Sequence, residues 1–86
     1  MDPNLHQKQA INHLNKVLTY APFVAEDGKA TVHLTAEDWH VVADALFHMN
    51  TPKAMLPEAI NTYRLTQQNR AIELDTDDYV IEVEMI

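Results

Sequence analysis

The chain has 86 residues, 47% of them apolar, with a single Gly, which suits one small domain and leaves no room for a second. It contains neither Cys nor Ser, so disulfides, thiolate metal sites and the two commonest side-chain nucleophiles are all excluded. A net charge of −7 and a pI near 4.9 disfavour nucleic acid and anionic membrane surfaces as direct ligands, because both would repel it.

Asp2 followed by Pro3 is a helix opening, a cap acceptor and then a residue that needs no N–H. Ala10, Ile11, Leu14, Val17 and Leu18 recur at helical spacing after it, which predicts a first helix over about 3–20, ended by Pro22. In the next segment Asp27-Gly28 lies between two alternating stretches, the strongest short-range signal for a hairpin with a type I′ turn. That hairpin would put Phe23, Ala25, Ala30, Val32 and Leu34 on one buried face. Thr35-Ala36-Glu37-Asp38 resembles a capping box and opens a second helix to about residue 49. Its apolar stripe is Trp39, Val42, Ala43, Leu46 and Met49.

Thr51-Pro52 and Pro57 then predict a short turn over 52–56 and a third helix over about 57–69, anchored by Leu56, Ile60 and Tyr63. Two further alternating stretches, 70–74 and 79–85, read as a second hairpin connected by Asp75-Thr76-Asp77-Asp78. Ile72 and Leu74 then line up with Tyr79 and Ile81 on the inward face, which Val83 and Met85 extend, and Glu73, Val80, Glu82 and Glu84 face outward. A competing reading continues the third helix to Leu74 and leaves one terminal strand. The expected fold is α+β: a single domain over 1–86, in which a small antiparallel sheet of two hairpins packs on two to three helices.

Metal and cofactor chemistry finds little footing. His40, Asp44 and His48 share a helix face, but eight residues of helix rise ~12 Å, too far for both imidazoles to ligate one ion. His6 and His13 fail for the same reason. Asp75-Thr76-Asp77-Asp78 resembles the start of a calcium loop, yet Val80 and Ile86 stand where that loop needs Gly and Glu. With one Gly there is no phosphate-cradling loop, and an exposed Asp pair lacks the cleft that general acid/base work requires. The expectation is a non-enzyme with no cofactor and no metal.

The charge distribution is the feature that points toward a partner. The last fourteen residues hold Glu73, Asp75, Asp77, Asp78, Glu82 and Glu84 and no Lys or Arg, whereas the first seventy-two are nearly neutral. Charges on the solvent face of a terminal strand guard against edge-to-edge aggregation, but six uncompensated acids exceed that need. The expectation is an inhibitor or modulator that uses Glu73, Asp77, Asp78, Glu82 and Glu84 to occupy a basic surface on another protein. Such surfaces commonly hold nucleic acid, so a nucleic-acid-handling complex is the partner class, and small inhibitors of phage or mobile elements are the analogy. Glu82 and Glu84 are expected to face solvent freely, so that reversing them leaves the fold intact. Two alternatives remain: a self-associating subunit that dimerises through the C-terminal strand, and a metal- or pH-responsive element built on the five His residues. Without a signal-peptide pattern in Met1-Asp2-Pro3-Asn4 or an apolar run of ~18 residues, a cytoplasmic location is expected.

Overall fold

A computed structural model describes residues 3–66, 68 and 70–86. The first element, α1 (Pro3–Val24), is longer than the sequence predicts. Pro22 stands inside it, and its missing N–H leaves only the carbonyl one turn earlier unpaired. Ala21 is fully buried, so packing holds this last turn in place. Phe23 is therefore helical and exposed, not a strand residue facing Val32. The expected cap at Asp2 lies outside the described residues.

The Asp27-Gly28 turn forms with both residues at positive φ, 54° and 79°, as a type I′ turn requires. With α1 occupying the chain up to Val24, however, only one bridge remains where a hairpin was expected, Glu26 with Lys29. β1 (Lys29–Leu34) consequently takes its partner from elsewhere in the chain.

Helix α2 (Ala36–Phe47) is capped by Thr35, whose hydroxyl accepts the Asp38 N–H at 3.2 Å. Asp38 does not complete a capping box; its carboxylate lies 3.4 Å from Nε2 of His13 on α1. After α2, Thr51 is buried with its hydroxyl satisfied. It donates to the Ala45 carbonyl at 2.7 Å and accepts from Gln7 at 3.2 Å, which ties the start of α1 to the end of α2. A short 3₁₀ turn at Lys53–Met55 fulfils the expected turn. The expected third helix is not there: Thr62–Thr66 forms strand β2. Thr62, Tyr63 and Thr66 are strand-forming residues, and Pro57 leaves too little chain for a stable helix before them. The part of that expectation covering Gln67 and Asn69 lies outside the described residues.

β3 (Ala71–Asp75) and β4 (Val80–Met85) form the expected terminal hairpin, with Ile72 opposite Val83 and Leu74 opposite Ile81. The sheet order is β1-β4-β3-β2. β4 runs parallel to β1, and the other neighbours are antiparallel, so the sheet is mixed where an antiparallel one was expected. The two hairpins are β2–β3 and β3–β4, a meander. β4 is a central strand with both edges bonded, which closes the expected route to a dimer through the C-terminal strand.

One face of the sheet packs on the helices. Leu14 and Val17 from α1, Trp39, Val42 and Leu46 from α2, and Ile72, Leu74, Ile81 and Val83 from the sheet form one buried cluster. Each such side chain contributes roughly 1.5–3 kcal/mol by leaving water. Trp39 also fixes α2 to the middle of the sheet, because its indole N–H donates to the buried Val83 carbonyl at 2.9 Å. Phe47 meets Tyr63 edge to face, with centroids 5.4 Å apart, joining the end of α2 to β2. Among the described residues no helix is long and apolar enough to cross a membrane.

Two substitutions separate packing from hydrogen bonding at the sheet centre. Trp39→Ala should lower unfolding free energy by about 3–5 kcal/mol. Trp39→Phe, which keeps a ring but leaves the Val83 carbonyl without its indole partner, should cost about 1–3 kcal/mol. Urea denaturation of both variants measures the difference.

Candidate functional site

The structure divides the five predicted partner residues between two surfaces. Glu73, Glu82 and Glu84 lie on the sheet face turned away from the helices, and Asp77 and Asp78 lie in the β3–β4 turn at one end of the sheet.

On the sheet face, Glu73 and Glu82 are directly opposite each other, an arrangement that is destabilising for like charges. A cation flanks each. Arg64 on β2 clamps Glu73 with Nε and Nη2, both at 3.0 Å, a bidentate geometry that favours the ionised carboxylate. Lys29 on β1 reaches diagonally to Glu82 at 3.1 Å. His33, also on β1, lies 3.2 Å from Glu84. The compensation that the terminal segment lacks in sequence therefore comes from the outer strands on either side. The three side chains retain 18%, 24% and 40% of their exposure, so their charges are partly spent inside the sheet. Reversing Glu82 and Glu84 would set new cations against Lys29 and His33, which corrects the expectation that this change leaves the fold undisturbed.

The hydrogen bonds from Arg64 hold the Glu73 carboxyl below the usual carboxylate range. Partial burial pushes it the other way, and the charges of Arg64 and Lys29 add to the downward pull. The same contacts, led by the hydrogen bond to Glu73, raise Arg64.

The turn at the sheet end is built differently. Thr76 closes it: its hydroxyl donates to the Tyr79 carbonyl at 2.6 Å and accepts the Tyr79 N–H at 3.1 Å. Asp77 and Asp78 project from the tip and are exposed. Their neighbours are neutral donors. Asn61 donates to Asp77 at 2.7 Å, and Thr62 donates to Asp75 at 3.0 Å. Amide and hydroxyl groups orient a carboxylate without cancelling its charge. The parallel pairing then adds a second turn beside the first, because the Val80 N–H donates to the Gly28 carbonyl at 3.0 Å. Glu26 and Asp27, both exposed, thereby join Asp75, Asp77 and Asp78 at one end of the sheet. Lys29 stands at this end too, but its ammonium is engaged by Glu82. Glu26 and Asp27 escaped sequence reasoning because only the pairing of β1 with β4 brings them there. The turn signal Asp27-Gly28 was visible, but its neighbour in space was not.

No group of three or more His, Asp or Glu among the described residues is arranged to hold a metal ion. The described buried side-chain polar atoms all have partners.

Because the folded pKa of Glu73 is lowered, the stability from its pair with Arg64 is fully present above the unfolded glutamate value of about 4.3. It is lost as pH falls through the lowered folded value. Arg64→Ala should move the Glu73 titration upward in carboxyl-resolved NMR and flatten the fall of melting temperature in that acid window. An unchanged Glu73 titration in the variant would contradict the assignment.

Comparison of the chain with protein-family models, with curated proteins and with solved structures finds no match in any of the three.

Proposed function

We propose that this chain is a non-enzymatic interaction protein, an inhibitor or modulator that occupies a basic surface of a partner protein with the acidic end of its sheet. The observation that carries this reading is the meeting of the two acidic turns, joined through Val80 and Gly28. Five carboxylates stand there, held by neutral donors or exposed to solvent, and the nearby Lys29 ammonium is taken up by Glu82. A field of one sign at the end of a small molecule speeds encounter with a partner of opposite sign and is weakened by salt.

The class of target is a basic surface that ordinarily holds nucleic acid, since phosphate-binding sites are the commonest dense clusters of Lys and Arg on proteins. The non-enzymatic reading rests on composition: the chain has neither Cys nor Ser, the two commonest side-chain nucleophiles. Among the original candidates, Asp77 and Asp78 carry the partner contact, joined by Glu26, Asp27 and Asp75. Glu73, Glu82 and Glu84 act as a paired, secondary surface.

The test is capture of partners from native extract at low and high salt. Asp77→Lys/Asp78→Lys should lower association with a captured basic protein by at least about 10-fold at low salt. Glu84→Gln, which removes a carboxylate already opposed by His33, should change it far less. Equal capture by the Asp77/Asp78 variant and the parent would end the proposal.

A further inference from the structure

The order β1-β4-β3-β2 leaves β1 as an outer strand. In its ladder with β4, the Gly28 and Leu34 carbonyls accept N–H groups from Val80 and Ile86. Even-numbered positions of β1 therefore bond inward, and the backbone groups of Lys29, Thr31 and His33 turn to the free edge. Lys29 is bonded there by Glu26, through N–H to carbonyl contacts of 2.7 and 3.0 Å. Thr31 and His33 thus present two N–H and two C=O groups along an open edge. No proline or bulge blunts it, and Lys29, the one Lys of the strand, is drawn to Glu82 across the sheet, so the usual protections of outer strands are weak there.

Beside this edge runs an open groove of about 490 Å³ between β1 and the second half of α1. Val17, Tyr20 and Val24 form its helical wall, and Val32 and Leu34 form the strand wall. Tyr20 is 65% exposed and Phe23, one turn farther along the helix, 84%. With Val24 they make up three of the six large apolar side chains exposed among the described residues. Single exposed apolar residues are ordinary, whereas a cluster along an unpaired strand is not.

We propose that a second copy of this chain occupies this edge, in a two-fold dimer that joins the two β1 strands antiparallel into one eight-stranded sheet. Three observations select a copy as the occupant. First, a two-fold axis at Val32 sets Thr31 of each copy against His33 of the other, so the four free backbone groups on one strand meet their complements on its mate. Second, the charge permits it. Two chains of −7 can meet only where carboxylates are sparse; no residue lining the groove is acidic, and Glu26 and Asp27 border only the Lys29–Thr31 end of the edge. His33 is already opposed by Glu84 at 3.2 Å. Third, exposed apolar area lies along the edge. The exposed parts of the Tyr20 and Phe23 rings offer on the order of 300 Å², and Val24, Val32 and the strand edge extend this toward the ~800 Å² per partner of a standard interface. Glu26, bonded to Lys29, is where this edge meets the acidic end of the sheet, and the inference does not depend on the reading of that end.

Sedimentation equilibrium of the intact chain tests the proposal. The expected mass is twice 9.8 kDa, retained or strengthened at high salt, in contrast to a complex held by opposite charges. Tyr20→Glu/Phe23→Glu should be monomeric with unchanged circular dichroism, since both side chains are exposed. In the parent, the Thr31 and His33 amides should exchange slowly with solvent, and in the variant at least 10-fold faster. A parent that stays monomeric up to about 1 mM overturns the proposal, whether or not another protein's strand fills the edge. A dimer that survives the double substitution with both amides still exchanging fast overturns it equally.

Discussion

Without the parallel ladder between β1 and β4, β1 would have no sheet to join, because α1 claims the residues that could have formed its hairpin mate. The ladder runs from Lys29 opposite Val80 to Leu34 opposite Met85, and each other notable feature is a geometric consequence of it. It makes β4 central and so lets the Trp39 indole find a carbonyl at the middle of the sheet. It carries Lys29 and His33 to Glu82 and Glu84, and it places the Asp27-Gly28 turn beside the Asp77-Asp78 turn. It also determines which strand is left with a bare side.

The outer sheet face illustrates how far composition and electrostatics can diverge. Across one band of the sheet the charges run positive, negative, negative, positive, from Arg64 through Glu73 and Glu82 to Lys29. The two inner carboxylates repel each other, and each is held by a cation from its own side. Removing either cation would leave two opposed acids with one counter-charge. Partly exposed pairs of this kind individually contribute little to stability. Their combined role is to let a strongly acidic hairpin lie in the centre of a sheet. Among the described residues the acids at the sheet end meet no such cations, and there the charge is available to the surroundings.

Local signals in the sequence were reliable where one segment decides its own structure. The stripe of Trp39, Val42, Ala43 and Leu46 is buried as the helical period requires, Thr35 caps its helix, and Ile72, Leu74, Ile81 and Val83 face the core. The α+β class follows from these alone. The misreadings occurred where two local signals competed. Pro22 and the Asp27-Gly28 turn both argued for ending α1 early, yet burial of Ala21 holds its last turn. Pro57 looked like a helix start, yet the residues after Asn61 favour a strand edge. The candidate site was half legible. Asp77 and Asp78 are exposed as their turn chemistry implies, but no pattern within the terminal segment could reveal that Arg64 and Lys29 pair with Glu73 and Glu82 and that His33 lies against Glu84. Partners across a sheet are set by strand order, which a single sequence does not encode locally.

The central place of β4 also governs the order in which the molecule can assemble. Thr66 faces Ala71 across a short connection, whereas Lys29 must wait for Val80, about fifty positions later. Hairpins close within about 1–10 μs, and distant strands join more slowly. In that interval β1 and β4 have bare sides, the condition in which copies of a chain stick to one another. Glu82 and Glu84 are then still without Lys29 and His33, so their charge repels neighbouring chains. The carboxylates that the finished sheet quiets serve as gatekeepers of the unfinished one.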